Sequence, residues 1–182
     1  MAKIFTLARL NTLLEIMREV QFVGGLAGAS SIHDQRYQSS NAFIEGNKME
    51  WHSGRDKNGI GELYQAFPHL IWYKFPAEKA FIPAMLSFSA RVQDETCGVG
   101  YCGATKYQFI GSNDPHCSRY SIWTTLCQDL SGAIFKRGQS KYCIVDRKYR
   151  EKFSCLGIRV LEGGFSKYNA VAVSGVKMWA YT

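Results

Sequence analysis

Six cysteines, Cys97, Cys102, Cys117, Cys127, Cys143 and Cys155, carry the most reactive side chains of this 182-residue chain, and all lie in its C-terminal half. An even set of this kind suits a disulfide framework formed in an oxidising compartment. Pairing of neighbours along the chain is the expected connectivity: Cys97 with Cys102, Cys117 with Cys127, and Cys143 with Cys155. The first pair brackets a tight Gly98-Val99-Gly100-Tyr101 turn. Zinc is the competing chemistry for thiolates. Cys97, Cys102, His116 and Cys117 could be drawn as a ligand set, but structural zinc sites use repeated short-spaced pairs, and no second such pair occurs.

Catalysis fares poorly on the same inspection. A thiol nucleophile needs an imidazole within reach, and the adjacent His116 and Cys117 are the pair that could supply one. Adjacent residues on a strand point to opposite faces, so these two should diverge. The sequence contains no nucleophile elbow, Gly-rich phosphate loop or His-Glu-x-x-His stretch. A protein that binds without catalysing is the expectation.

The elements that position these residues follow from composition and pattern. With 46% hydrophobic and 20% charged residues, the chain has enough apolar surface for a globular core, and its length suits one domain. Aromatics reach 14%, which favours pleated, half-buried surfaces and binding contacts. The formal charge of +7 draws polyanions, among them anionic lipid headgroups and sulfated or sialylated glycans. Basic residues are nonetheless scattered, and the densest run, Arg147-Lys148-Tyr149-Arg150-Glu151-Lys152, holds an acid and reads as a solvated turn. No nucleic-acid partner is expected.

Leu7, Leu10, Leu13, Leu14, Met17 and Val20 recur at helical spacing, so residues 4 to 21 read as an amphipathic helix ended by Gly24-Gly25. Residues 1–22 are thus expected to form a helical extension to a domain spanning 23–182. Arg9 breaks the early apolar run short of a secretion signal. No stretch approaches the ~20 apolar residues that cross a bilayer. Residues 26 to 65 are turn-rich, with Phe43 and Trp51 as apolar islands that pin loops to the core.

Beyond them short strands are expected at His69–Phe75, Phe81–Val92, Tyr107–Gly111, Ser121–Gln128, Lys141–Val145, Phe153–Leu161 and Val171–Tyr181. In one of these, Leu156, Ile158 and Val160 should share a face with Arg159 on the other. Strands without intervening helices argue an all-β, antiparallel sandwich or barrel.

Three blocks carry a family resemblance. They are Ala29-Ser30-Ser31 through Tyr37 and Ser40-Asn41-Ala42-Phe43 to Trp51-His52-Ser53-Gly54; Pro68 to Phe75 with Phe81 to Arg91; and Tyr107 to Asp114 with Trp123, Phe153 to Val160 and Val176-Lys177-Met178-Trp179. Together they resemble the discoidin domain, also called the coagulation factor V/VIII type C domain, over about residues 26 to 182. The resemblance implies a galactose-binding-like jelly-roll β-sandwich, usually extracellular, that binds glycans, anionic phospholipids or proteins through loops at one end. It also implies that Trp51, Trp72 and Trp123 are core residues.

The ligand-facing loops would then correspond to residues 32 to 40, 53 to 60 and 93 to 106. His33, Asp34, Arg36 and Tyr37 offer planar polar groups for sugar hydroxyls and a ring for the sugar's apolar side. A similarly placed arginine in glycan- and protein-binding members makes Arg91 a ligand contact, with Asp94 or Glu95 accepting beside it. Tyr101 would stand at the tip of the Cys97 to Cys102 hairpin. Some members hold structural calcium in the loop matching Ala42 to Gly46. Here Ile44 and Glu45 depart from the usual pattern, so no cofactor is expected, and structural calcium is left open without support.

The function expected from sequence is therefore a secreted or cell-surface recognition module for a glycan or glycoprotein. The alternative is an adhesion module for a protein or an anionic membrane surface.

Overall fold

The computed structural model describes residues 17–32, 35–44, 50–53, 67–89, 103–133, 139–146, 148–163 and 171–181. Among the described residues there are ten strands: β1 Met17–Glu19, β2 Leu26–Ala29, β3 Trp51–His52, β4 His69–Lys74, β5 Ile82–Ser89, β6 Ala104–Ser112, β7 Thr124–Asp129, β8 Ser140–Ile144, β9 Cys155–Gly163 and β10 Ala172–Tyr181. One antiparallel sheet has the order β1-β10-β5-β8, with β3 also pairing β10, and the other the order β2-β4-β9-β6-β7. The architecture is the all-β sandwich expected from the strand pattern.

Period-two alternation decides which side chains enter the core. On β9, Leu156, Ile158 and Val160 are buried in the central cluster while Arg159 points to the other face. Phe109 and Tyr107 of β6 do the same, and Phe88 of β5 meets Tyr107 edge-on at 4.7 Å, joining the two sheets through the core. At the opposite end Phe22, Phe43, Tyr73, Phe75 and Phe81 interlock, with ring centroids 4.8–6.0 Å apart. Such contacts add to the area term that drives burial.

Four expectations are corrected. Residues 17 to 19, read as the last turn of a helix, form strand β1, with Met17 opposite Tyr181 and Glu19 opposite Trp179. The Val20 amide extends the ladder to the Met178 carbonyl, and Val20 is buried in the core. Pairing to an existing edge outweighs the weak local preference for helix in so short a piece. Residues 1–16 lie outside the described residues. The described part of the turn-rich stretch also holds regular structure that its composition does not suggest: β2, β3 and the 3-10 turns Gln35–Tyr37 and Ser39–Phe43.

The disulfides are the third correction. Cys117 joins Cys155 and Cys127 joins Cys143, rather than Cys117 with Cys127 and Cys143 with Cys155. β7 and β8 are edge strands of different sheets, so Cys127–Cys143 closes one side of the sandwich. Cys117 sits on the segment between β6 and β7, which folds over the outer face of β4 and β9 and meets Cys155 there. Cys97 and Cys102 lie outside the described residues.

Trp51 is a core residue, fully buried. Trp72 and Trp123 are not in the central core. They pack together at 6.2 Å in a second cluster on the outer face of the sheet, with Leu70, Ile110 and the Cys117–Cys155 bridge. Ile71 and Tyr73 point inward, so alternation puts Trp72 outside. Glycine at position 28 makes room for it, because a Cβ there would stand 2.4 Å from the indole.

Candidate functional site

Strand registers gather the segments that matter at one end of the sandwich. His69 opposes Val160, Ala104 opposes Gly163, and Tyr107 opposes Asp129, so β4 and β6 begin where β9 and β7 finish. In the other sheet Ser89, Ser140 and Ser174 share a row, which puts the end of β5 beside the starts of β8 and β10. Connections 30–50, 53–68, 90–103, 130–139 and 164–171 therefore all leave from this end. The segments 32 to 40, 53 to 60 and the greater part of 93 to 106 are among them.

Several hydrogen bonds brace the chain at this end. The Trp51 indole donates to the Ser31 carbonyl at 2.9 Å, tying β3 of one sheet to the chain leaving β2 of the other. Ser53 and Val171 bond twice: the Ser53 amide donates to the Val171 carbonyl, and the Val171 amide to the buried Ser53 hydroxyl, each at 2.9 Å. The Asn41 side chain donates to the Arg36 carbonyl at 2.7 Å and the Glu50 carbonyl at 3.4 Å. A single side chain thus fixes the 3-10 turn that carries Arg36 and Tyr37. Asn41 belongs to a turn-rich run whose composition reads as loop.

Arg36 is exposed and Tyr37 half-buried, and the guanidinium carbon stands 5.6 Å from the Tyr37 ring centroid. Stacking holds the planar fork and the ring side by side, an arrangement that can offer donors to hydroxyls and a flat apolar surface together. His33, Asp34, Arg91, Asp94, Glu95 and Tyr101 lie outside the described residues. So does Glu45, while Ile44 of the same loop is exposed.

Two ion pairs border this end. Lys106 Nζ meets Glu162 Oε2 at 2.6 Å, and Lys141 Nζ meets Asp129 Oδ2 at 3.1 Å. The Ser131 hydroxyl, more than Lys141, holds the Asp129 carboxyl below its usual range. Burial, then the charge of Asp129, pushes the Tyr107 phenol up to about 12. Further along the sheet Arg159 donates to Gln108 Oε1 at 3.3 Å and Gln108 to Gln128 Oε1 at 3.1 Å, and burial lowers the Arg159 pKa. These pairs arise from registers and carry no signal in the sequence.

Of the residues considered for thiol or metal chemistry, His116 and Cys117 stand elsewhere, between β6 and β7. Cys117 is tied up in a disulfide, and His116 is exposed on a turn capped by the Asp114 carboxylate at 2.8 Å. Among the described residues no three His, Cys, Asp or Glu side chains are grouped to hold a metal. No helix among them is long and apolar enough to cross a membrane.

Comparison with solved structures places this fold. CBM32-3 from a family 31 glycoside hydrolase of Clostridium perfringens superposes with a TM-score of 0.65 at 17% identity, over 92% of this chain and 96% of that one. A variant of chitosan-binding module 1 from a Paenibacillus sp. IK-5 chitosanase/glucanase gives 0.62 at 15% identity, over 90% and 100%. The F5/8 type C domain of a Bacteroides fragilis protein gives 0.62 at 12% identity, over 92% and 98%. No protein-family model and no curated protein matches the sequence. The chain has the β-sandwich fold of CBM32 and F5/8 type C domains. At these identities the likeness is one of backbone.

Proposed function

We propose that the protein is a non-catalytic carbohydrate-binding module that engages a glycan at the end of the sandwich where the polar connections leave. The observation that carries this reading is that the chain leaves β2 after Ala29, β3 after His52 and β5 after Ser89 at one end of the sandwich, beside the bonds that join Trp51 to Ser31 and Ser53 to Val171. Support comes from a fold shared with modules named for CBM32 and for chitosan. Bracing at this end lowers the ordering cost that a shallow site would otherwise lose on binding.

Arg36 and Tyr37 supply the stacked donor and ring. Arg91, Asp94, Glu95, His33, Asp34 and Tyr101 are assigned as further contacts, with the carboxylates accepting hydroxyl protons and Arg91 donating. No cofactor is assigned. Two disulfides suit an extracellular setting, because thiols stay reduced in the cytosol.

A glycan array followed by calorimetry on the best hit tests this. Saturable binding that is lost in Arg91→Ala, with melting temperature unchanged, is the expected result. Absence of any glycan hit, together with liposome binding that vanishes on adding salt, would transfer the site to an anionic membrane surface.

A further inference from the structure

A hollow of about 490 Å³ opens at the end of the sandwich opposite the polar connections, between edge strand β1 and the turn that joins β4 to β5. Small-molecule sites run from ~300 to ~1,000 Å³, so its size suits one. Registers build it: Arg18 of β1 opposes Ala180 of β10, and Tyr181 opposes Ile82 at the start of β5. The adjoining Phe81 is fixed by its bridge to Phe153, and Lys79 by a turn in which its amide donates to the Pro76 carbonyl at 2.8 Å.

Two kinds of surface meet there. Buried Val20 and Ala180 and the half-buried rings of Phe81 and Tyr181 form apolar walls, while exposed Arg18, Gln21 and Lys79 bring polar groups to the same hollow. Neither Arg18 nor Lys79 joins an ion pair among the described residues. Glu19, the one acid in the lining, meets Lys177 at 3.6 Å. Two like charges on one hollow repel, and an anion held between them relieves that repulsion. An arginine on an edge strand often serves only to keep another sheet from pairing there. That role asks nothing of Lys79, which lines the hollow from a different element.

We propose that this hollow is a second binding site, for a sugar residue that carries a carboxylate or a sulfate. The planar Arg18 fork pairs with the acid group through parallel N–H donors, and Lys79 adds a compact charge. Tyr181 and Phe81 meet the apolar face of the pyranose ring, and the Gln21 amide offers both a donor and an acceptor to its hydroxyls. A bare inorganic anion would leave the rings wet, and a neutral sugar would leave both cations without a counter-charge. Strand β5, from Ile82 to Ser89, separates the two ends of the sandwich by about 23 Å at ~3.3 Å per residue. The site is therefore distinct from the one assigned at the loop end and does not rest on that assignment.

NMR titration of the full chain with glucuronate, glucose 6-sulfate and neutral glucose tests the proposal. Both acids should bind saturably and shift the Phe81 and Tyr181 signals, and glucose at the same concentration should not. Arg18→Ala and Lys79→Ala should each weaken glucuronate about tenfold, while Lys79→Arg keeps most of the affinity. Lys148→Ala, at a cation paired with Asp146 instead, should keep all of it. Because Lys79 is exposed on a turn, the melting temperature of Lys79→Ala should match the parent. A neutral glycan held at the loop end should bind Lys79→Ala as it binds the parent, which tells failure of one site from failure of the other. The assignment is overturned if glucuronate does not bind, if neither alanine variant weakens it, if glucose binds equally well, or if inorganic sulfate alone matches the acid sugars.

Discussion

The Trp51 indole N–H bonds the Ser31 carbonyl at 2.9 Å, and this one contact couples β3 on one sheet to the chain leaving β2 on the other. It lies at the end of the sandwich from which the connections assigned to ligand binding leave. Trp51→Phe keeps a ring in the core but removes this bond between the sheets, at a cost of about 1 kcal/mol. Denaturant titration should show a lower midpoint with unchanged slope, and glycan affinity should fall with it.

Arg36→Ala and Tyr37→Ala each remove half of the stacked pair without touching the core. Each should weaken glycan binding about tenfold, or ~1.4 kcal/mol, by calorimetry. The melting temperature should stay within error of the parent.

Non-reducing peptide mapping should recover Cys117 linked to Cys155 and Cys127 linked to Cys143. The closed segments span 38 and 16 residues. Chain entropy then assigns about 4 kcal/mol to the first bridge and about 3 kcal/mol to the second. Replacing Cys117 and Cys155 together by serine should accordingly lower stability more than replacing the other pair, measured in urea.

Gly157 lies in β9 where a Cβ would stand 2.5 Å from the Ile71 carbonyl oxygen and 2.9 Å from Trp72 Cβ. Backbone on a central strand has little room to retreat, so Gly157→Ala should cost about 2–3 kcal/mol. A wild-type melting temperature in this variant would contradict that packing.

Stability should decline at both extremes of pH. Asp114, Asp129 and Asp146 are held below the usual carboxylate range, chiefly by the His116 amide, the Ser131 hydroxyl and the Lys148 amide respectively. Their folded values lie below the unfolded ones, so this stabilisation is complete above about pH 4 and is lost as pH falls through the folded values. Tyr107 works in the opposite sense: raised to about 12, its contribution is full below about pH 10 and is lost as pH rises toward the folded value. Urea midpoints across pH should show both flanks, and Tyr107→Phe should flatten the alkaline one.

Strands β4 to β10 were legible because alternation is a local property. His69 to Lys74 and Cys155 to Gly163 announce their inward faces in the spacing of Ile71, Tyr73, Leu156, Ile158 and Val160. β1 and β2 were not legible, since Met17–Glu19 and Leu26–Ala29 are strands only through pairing with β10 and β4. Of the candidate site, Arg36 and Tyr37 were found as residue types suited to sugars. Asn41, which fixes their turn, was read as loop, because its bonds to Arg36 and Glu50 depend on where β3 returns.

By itself the sequence determined an antiparallel sandwich with bridged cysteines and a polar, aromatic set of connections, because side-chain alternation and turn chemistry act over a few residues. Only the tertiary structure decided which cysteines meet, which tryptophans leave the core, and which connections share one end. Those outcomes depend on strand order and register, which bring together residues as distant as Ser53 and Val171 and follow from burying both sheets against each other.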